Sequence, residues 1–183
     1  MNPKSLATLT ATAIILTTGA ANANLLFDIY MGGTFGVGGQ TMFIDDNNIS
    51  KSATSYGGVL GMDIPLFRIE AEYNYLDSDK ITTNLGMLNA YFKIPTPIIK
   101  PYIGAGIGMT FDAKYAQRNL PETKIDDTMA YQGMLGITLD LPALPFNIDI
   151  EGRALYAPNM FKIAENDVKF LQYDGRVKLR YVF

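Results

Sequence analysis

The stretch FRIEAEYNYL, residues 67–76, decides the fold. Phe67, Ile69, Ala71, Tyr73 and Tyr75 fall on one side of an extended chain, and Arg68, Glu70, Glu72 and Asn74 fall on the other. Successive side chains of a β-strand point to opposite faces, so this period of two marks a strand between an apolar and a polar environment. Working outward, residues 146–156 repeat it: Phe146, Ile148, Ile150, Gly152, Ala154 and Tyr156 oppose Asn147, Asp149, Glu151 and Arg153. The end of the chain does so again, with Leu171, Tyr173, Gly175, Val177, Leu179, Tyr181 and Phe183 against Gln172, Asp174, Arg176, Lys178 and Arg180. Weaker alternation runs over about 25–38, 54–64, 82–94, 99–113 and 128–141, rich in β-branched and aromatic residues. The expectation is an all-β chain of eight antiparallel strands in up-and-down order.

The 183 residues suit a single domain, and their composition narrows its chemistry. There is no His and no Cys, which removes imidazole bases, Ser-His-Asp triads, thiol nucleophiles, disulfides and thiolate metal sites. The formal charge of −3 argues against a nucleic-acid partner, which requires a concentrated basic face. Charged residues make up 18%, below the roughly 25% of soluble chains, while 48% are hydrophobic. Past residue 24, however, no apolar run approaches the roughly 18 residues of a membrane helix. Residues 1–23 read as a cleaved signal peptide: Lys4, an apolar stretch from Leu6 to Leu16, and Ala21-Asn22-Ala23 as the small-x-small site. Residues 24–183 then form the exported domain.

The connections differ in kind. Pro65-Leu66, residues 95–98 and residues 142–145 are short and contain Pro, which cannot donate to a ladder and so marks a turn. Residues 41–53, 77–80, 114–127 and 158–169 are polar, and three of them are long. Short turns at one end and longer loops at the other are the asymmetry of an outer-membrane barrel. Alternation alone does not say which face is inside. Closely spaced charges of both signs, with Gly among them, suit a narrow sealed lumen, and aromatics gather toward both ends of the apolar face. From Phe146 to Tyr156 the chain rises about 25 Å at ~3.3 Å per residue and a tilt near 40°, the height of an apolar band between aromatic girdles.

On these residues the chain resembles the small eight-stranded outer-membrane barrels of Gram-negative bacteria, namely the OmpA transmembrane domain, OmpX and opacity-protein-like surface antigens. The signal peptide, the glycine-alternating strand from Pro101 to Gly108 and the closing Val177, Leu179, Tyr181 and Phe183 carry the likeness. It implies a bacterial outer-membrane location among lipid and lipopolysaccharide. It also implies that Val177, Leu179, Tyr181 and Phe183 are the C-terminal signal read by the barrel-assembly machinery. The strand count, the loop asymmetry and the charged interior point to a structural and surface-presenting role, with loops 41–53, 114–127 and 158–169 exposed as a surface antigen or weak adhesin toward host surface molecules. No peptidoglycan-binding domain follows Phe183, so the likeness stops short of a wall anchor.

The polar face holds Arg68, Glu70, Glu72, Asp149, Glu151, Arg153, Asp174, Arg176, Lys178 and Arg180. Glu70 and Glu72 share a face about 7 Å apart, a spacing that some glycosidases use. An eight-stranded lumen is only wide enough for its own side chains, so a structural ion-pair network is expected, with no enzyme activity. The known enzymes on small barrels rely on a catalytic His, absent here. The Gly runs at 36–39 and 104–108 lack the Lys-Ser/Thr and the helix of a phosphate loop. Asp45-Asp46-Asn47-Asn48 and Asp126-Asp127 lack the ordered spacing of a calcium loop. No cofactor or metal is expected. Two other readings stay open: a secreted or periplasmic soluble barrel with Phe67, Ile69 and Tyr73 turned inward around a small hydrophobic ligand, and an enzyme using the carboxylates.

Overall fold

The structure, a computed structural model, describes residues 27–44, 47–78, 81–115, 123–124, 128–141, 144–163 and 166–183. The signal-peptide reading of residues 1–23 lies outside them. The strands are β1 (Asp28–Ile44), β2 (Asn47–Asp63), β3 (Phe67–Ser78), β4 (Ile81–Lys93), β5 (Ile99–Tyr115), β6 (Thr123–Lys124), β7 (Thr128–Asp140), β8 (Phe146–Ile163) and β9 (Asn166–Val182). All but the two-residue β6 belong to one closed ring in which each strand pairs antiparallel with its neighbours in sequence. The ring closes where β1 meets β9, from Tyr30–Val182 to Phe43–Lys169. Closure leaves no free edge in the wall, the condition for a sheet surrounded by lipid. This is an eight-stranded up-and-down barrel.

The connections through Pro65 and through residues 95–98 are tight turns. Ile64 N donates to Phe67 O at 2.8 Å and Ile94 N donates to Pro101 O at 2.9 Å. Turn carbonyls also accept from neighbouring strands, as when Lys93 N donates to Leu66 O and Val182 N to Pro145 O. At the opposite end the expected loops require correction. Residues 41–53 are mostly ladder, with β1 and β2 paired out to Ile44–Asn47. Residues 158–169 are likewise paired, from Phe161–Val168 to Ile163–Asn166, beyond a register shift between Ala157 and Phe161 that contains Pro158. Within 114–127, Lys114 and Tyr115 pair with Lys124 and Thr123. The alternation that marks a strand in sequence fades where neither face meets lipid or lumen, yet backbone pairing needs neither. Residues 41–53 and 158–169 therefore extend their hairpins as two-stranded ribbons.

Inside the ring, bulky and small residues face each other across neighbouring strands. Tyr91, Asn89 and Met87 of β4 pair with Gly104, Gly106 and Gly108 of β5, and a Cβ on any of these glycines would collide with its partner's side chain. On the other side, Gly32, Gly36 and Gly38 of β1 stand opposite Arg180, Arg176 and Asp174 of β9, again with no room for a Cβ. The glycine-rich strands are the space into which the long side chains lean. The lumen is thus filled rather than hollow, as expected for eight strands.

Candidate functional site

Two surfaces carry whatever this barrel does: its interior and its outer wall. The interior is layered. Nearest the Pro-turn end, Asp149 accepts from Arg68 Nη1 at 2.9 Å, from Arg180 Nε and Nη2 at 2.8 and 2.9 Å, and from Thr138 Oγ1 at 2.6 Å. Asp63 links this layer to the rim through Arg180 Nη1 at 3.3 Å and through Lys93. The Arg68 guanidinium lies 4.1 Å from the centre of the Tyr91 ring and 4.6 Å from that of Tyr102, and Arg180 lies 4.5 Å from that of Tyr30. Stacking on aromatic faces compensates cations that carboxylates alone do not surround.

In the next layer Glu70 accepts from Lys178 Nζ at 2.8 Å, Tyr30 OH at 2.7 Å and Tyr91 OH at 2.8 Å. Glu151 accepts from Arg176 Nε at 2.5 Å and Tyr102 OH at 3.0 Å. Arg176 also pairs with Glu72, whose Oε2 takes hydrogen bonds from Asn89 and from Gln132 at 3.1 Å. Above them Arg153 grips Asp174 through Nε, at 3.0 Å, and Nη2. The structure thus brings all ten residues singled out on the polar face into one buried cluster, Glu70, Glu72, Asp149, Glu151 and Asp174 against Arg68, Arg153, Arg176, Lys178 and Arg180. The charges cancel, and each carboxylate has several donors, the condition under which buried ion pairs are tolerated. Glu70 and Glu72 are enclosed and held by cations, which leaves a substrate no approach to them.

Sequence reasoning missed two parts of the interior. Tyr30 and Tyr91 supply hydroxyls and ring faces to the network. A second, apolar layer, made of Leu76, Leu85, Met87, Ala130, Leu155 and Ala157, lies beyond the charges toward the ribbon end. In β4 both faces carry apolar residues, so alternation there gives no direction. The usable signal was cross-strand size, since Tyr91 and Met87 each stand opposite a glycine.

The outer wall is mostly apolar, with Ile103 64% and Leu135 68% exposed. Phe67 is 53% exposed while Glu70 is fully buried, the reverse of the soluble barrel, which required Phe67, Ile69 and Tyr73 inside. Aromatics pair at both ends of the wall. Toward the turns, Phe67 meets Phe92 with ring centres 5.6 Å apart, and Tyr181 meets Phe146 at 5.2 Å and Phe183 at 5.1 Å. Toward the ribbons, Tyr56 meets Tyr75 at 5.1 Å and Tyr73 meets Phe111 at 6.0 Å. Val177, Leu179, Tyr181 and Phe183 all face outward, and Phe183 N donates to Ile29 O at 2.9 Å. Among the described residues no group of three carboxylates is placed to hold a metal ion. Asp45, Asp46, Asp126 and Asp127 lie outside them.

No protein-family model matches the sequence, and no curated protein sequence matches it. Solved structures do match the fold. Neisserial surface protein A is similar with a TM-score of 0.60 at 14% identity, over 82% of this chain and 96% of that one. The N-terminal β-barrel domain of OprF from Pseudomonas aeruginosa gives 0.54 at 13% identity, over 82% and 97%. The outer membrane protein OprG from the same organism gives 0.51 at 14% identity, over 86% and 96%. At such identities the likeness concerns architecture: this chain has the fold of the small eight-stranded outer-membrane β-barrels.

Proposed function

We propose that this protein is an integral outer-membrane barrel whose role is structural and surface-presenting, a lipid-embedded frame that holds three long connections out of the bilayer. The observation that carries the reading is the inverted wall: charges sealed inside, apolar side chains and aromatic girdles outside. Such a surface requires hydrocarbon around it. Short turns belong on the periplasmic side of these barrels and longer connections on the outside, which puts residues 41–53, 114–127 and 158–169 at the cell surface. The name of Neisserial surface protein A, a structural neighbour, fits this placement.

The partners follow from position: lipid and lipopolysaccharide against the wall, host surface molecules at the ribbon tips, and the assembly machinery at Val177, Leu179, Tyr181 and Phe183 during biogenesis. No catalytic role is assigned. Two measurements test the reading. Unboiled protein should run differently from boiled protein on a detergent gel and resist extraction from membranes by high salt; equal migration with release by salt refutes the barrel in the membrane. Whole cells should bind host matrix proteins less when residues 114–127 are replaced by a short turn, and unchanged binding removes that connection from the presenting role.

A further inference from the structure

We infer that the three short connections at the turn end lie inside the headgroup layer of the periplasmic leaflet and take phospholipid, rather than periplasmic water, as their partner. The inference rests on the membrane reading and deepens it, by setting how far the barrel is sunk. A turn standing in water is expected to be rich in Gly, Asn, Asp and Ser. Here the connections read Ile64-Pro65-Leu66, Ile94-Pro95-Thr96-Pro97-Ile98 and Leu141-Pro142-Ala143-Leu144-Pro145, with no charge, no Gly and no side-chain amide. Leu66, Ile94, Ile98, Leu141 and Leu144 are not tucked under the barrel but lie between 38% and 55% exposed, like the wall residues Phe67 and Ile69 with which they are continuous. Their polar groups are provided for within the turns. The one hydroxyl, on Thr96, donates to Ile99 O. Ile64, Ile94, Thr96 and Leu144 donate their N–H groups to Phe67 O, Pro101 O, Ile94 O and Leu141 O. The prolines carry no N–H at all, so few donors are left that demand water.

Two further observations fix the depth. The charges at this end stand at the lumen mouth and not on the outside: Lys93 pairs with Asp63, Lys100 with Asp140 and Arg180 with Asp63, while Asp28 lies across the ladder from Asp63. Among the described residues, the outward positions from the ribbon-end aromatics down to the turns carry no charge. The two aromatic belts also differ in kind. Tyr56, Tyr73, Tyr131, Tyr156 and Tyr173 dominate the ribbon end, whereas Phe67, Phe92, Phe146 and Phe183 dominate the turn end, where Tyr181 alone brings a hydroxyl. A phenol is held at headgroup level by its hydroxyl, and a phenyl ring has no such handle. With the tyrosines at the outer headgroups, the roughly 25 Å of wall from Tyr156 to Phe146 fills the hydrocarbon. The headgroup layer below is about 5–8 Å deep, and connections this short end inside it.

The chain has no Cys, so a single introduced thiol can carry a nitroxide label at a chosen site. Leu66→Cys, Ile98→Cys and Leu144→Cys report on the three connections, Leu135→Cys on the wall, and Ser52→Cys on an exposed position at the ribbon end. Each protein is refolded into phosphatidylcholine vesicles, checked by heat-dependent gel migration, and read by its collisions with oxygen, which partitions into lipid, and with a water-soluble nickel chelate present on both sides of the membrane. The oxygen-to-chelate ratio at the three connections is expected to be about threefold or more above that at Ser52, because an apolar solute concentrates where water is excluded. Ratios equal to that of Ser52, with Leu135 still favouring oxygen, place the connections in water and overturn the inference while the membrane reading stands. Chelate reaching Leu135 as readily as Ser52 defeats both. Labels at the connections sheltered from oxygen and chelate alike show a second copy of the chain covering them and also overturn the inference. The three sites are independent, so the loss of one variant to misfolding leaves two that decide.

Discussion

Arg176→Met is the sharpest test of the sealed lumen. Arg176 is buried and bridges Glu72 and Glu151, with its Nε 2.5 Å from Glu151 Oε1. Met matches the aliphatic stem of Arg and lacks the guanidinium, so the change removes the charge together with its hydrogen bonds. Five carboxylates would then face four cations in a space closed to water. Glu151 would keep Tyr102 OH at 3.0 Å and Lys178 at 3.5 Å, and Glu72 would keep Gln132 at 3.1 Å and Arg153 at 3.9 Å. Removing one partner of a buried pair costs about 3–5 kcal/mol, because the other charge stays buried without compensation. At 1.4 kcal/mol per decade this is about two to four powers of ten in the unfolding equilibrium. The assay is urea unfolding of protein refolded into phosphatidylcholine vesicles, read by tyrosine fluorescence, since there is no Trp, and by gel migration. Adding Glu151→Gln restores four against four and should recover more than half of the loss. A single variant within about 1 kcal/mol of wild type, the value of a surface pair, would refute the sealed network. A double variant no better than the single would refute the charge balance.

The wall and the glycine pattern give further expectations, each read by the same unfolding assay. Leu135→Arg, near mid-wall, should cost about 2–4 kcal/mol, whereas Ile99→Lys at the first residue of β5 should cost about 0–1 kcal/mol; equal costs would deny a hydrocarbon layer centred on the wall. Gly38→Val, whose Cβ would meet Asp174 and the Tyr173 carbonyl, should destabilise by about 1–3 kcal/mol. Gly133→Val, where a Cβ meets nothing within 4 Å, should be neutral or stabilising by a few tenths of a kcal/mol. Deleting Phe183 should lower the amount of barrel assembled in cells several-fold while refolding in vesicles proceeds at nearly the wild-type rate. A loss confined to the vesicle assay would make Phe183 a packing residue rather than a recognition signal.

Strand existence and inside-outside polarity are legible in the sequence wherever lipid and charged lumen lie on opposite faces. Phe67 to Leu76 and Phe146 to Tyr156 show it, because each residue there meets one of two very different media. Legibility fails at two places for two reasons. In β4 the interior itself turns apolar at Leu85 and Met87, so both faces read alike. Beyond Thr41 and Pro158 the strands stay paired although the sequence there shows no clear alternation, because ladder hydrogen bonds are made by the backbone and do not require it. The charged residues of the network were recognisable as a set, but their partners were not, since pairing depends on register.

Register is where the interior charges do something that alternation cannot. A slip of one residue would turn the apolar face inward and is excluded by polarity, but a slip of two preserves the alternation completely. Across β8 and β9 the inward pairs are Asp149–Lys178, Glu151–Arg176 and Arg153–Asp174. Read along the strands, the order is acid, acid, base against base, base, acid. Slipping by two in one direction sets Glu151 against Asp174; slipping in the other sets Arg153 against Arg176. Either places like charges directly opposite in a closed lumen, where repulsion is far less screened than at a surface. The reversal at Arg153 and Asp174 is what makes the order asymmetric, since three acids facing three bases would tolerate both slips. The glycines act on the same register from the other side: Gly32, Gly36 and Gly38 leave room for Arg180, Arg176 and Asp174, and a Cβ at any of the three would collide. A lipid-facing exterior supplies no such discrimination, because one apolar side chain meets hydrocarbon much as another does. The charged interior thus selects one barrel among those that the alternation permits.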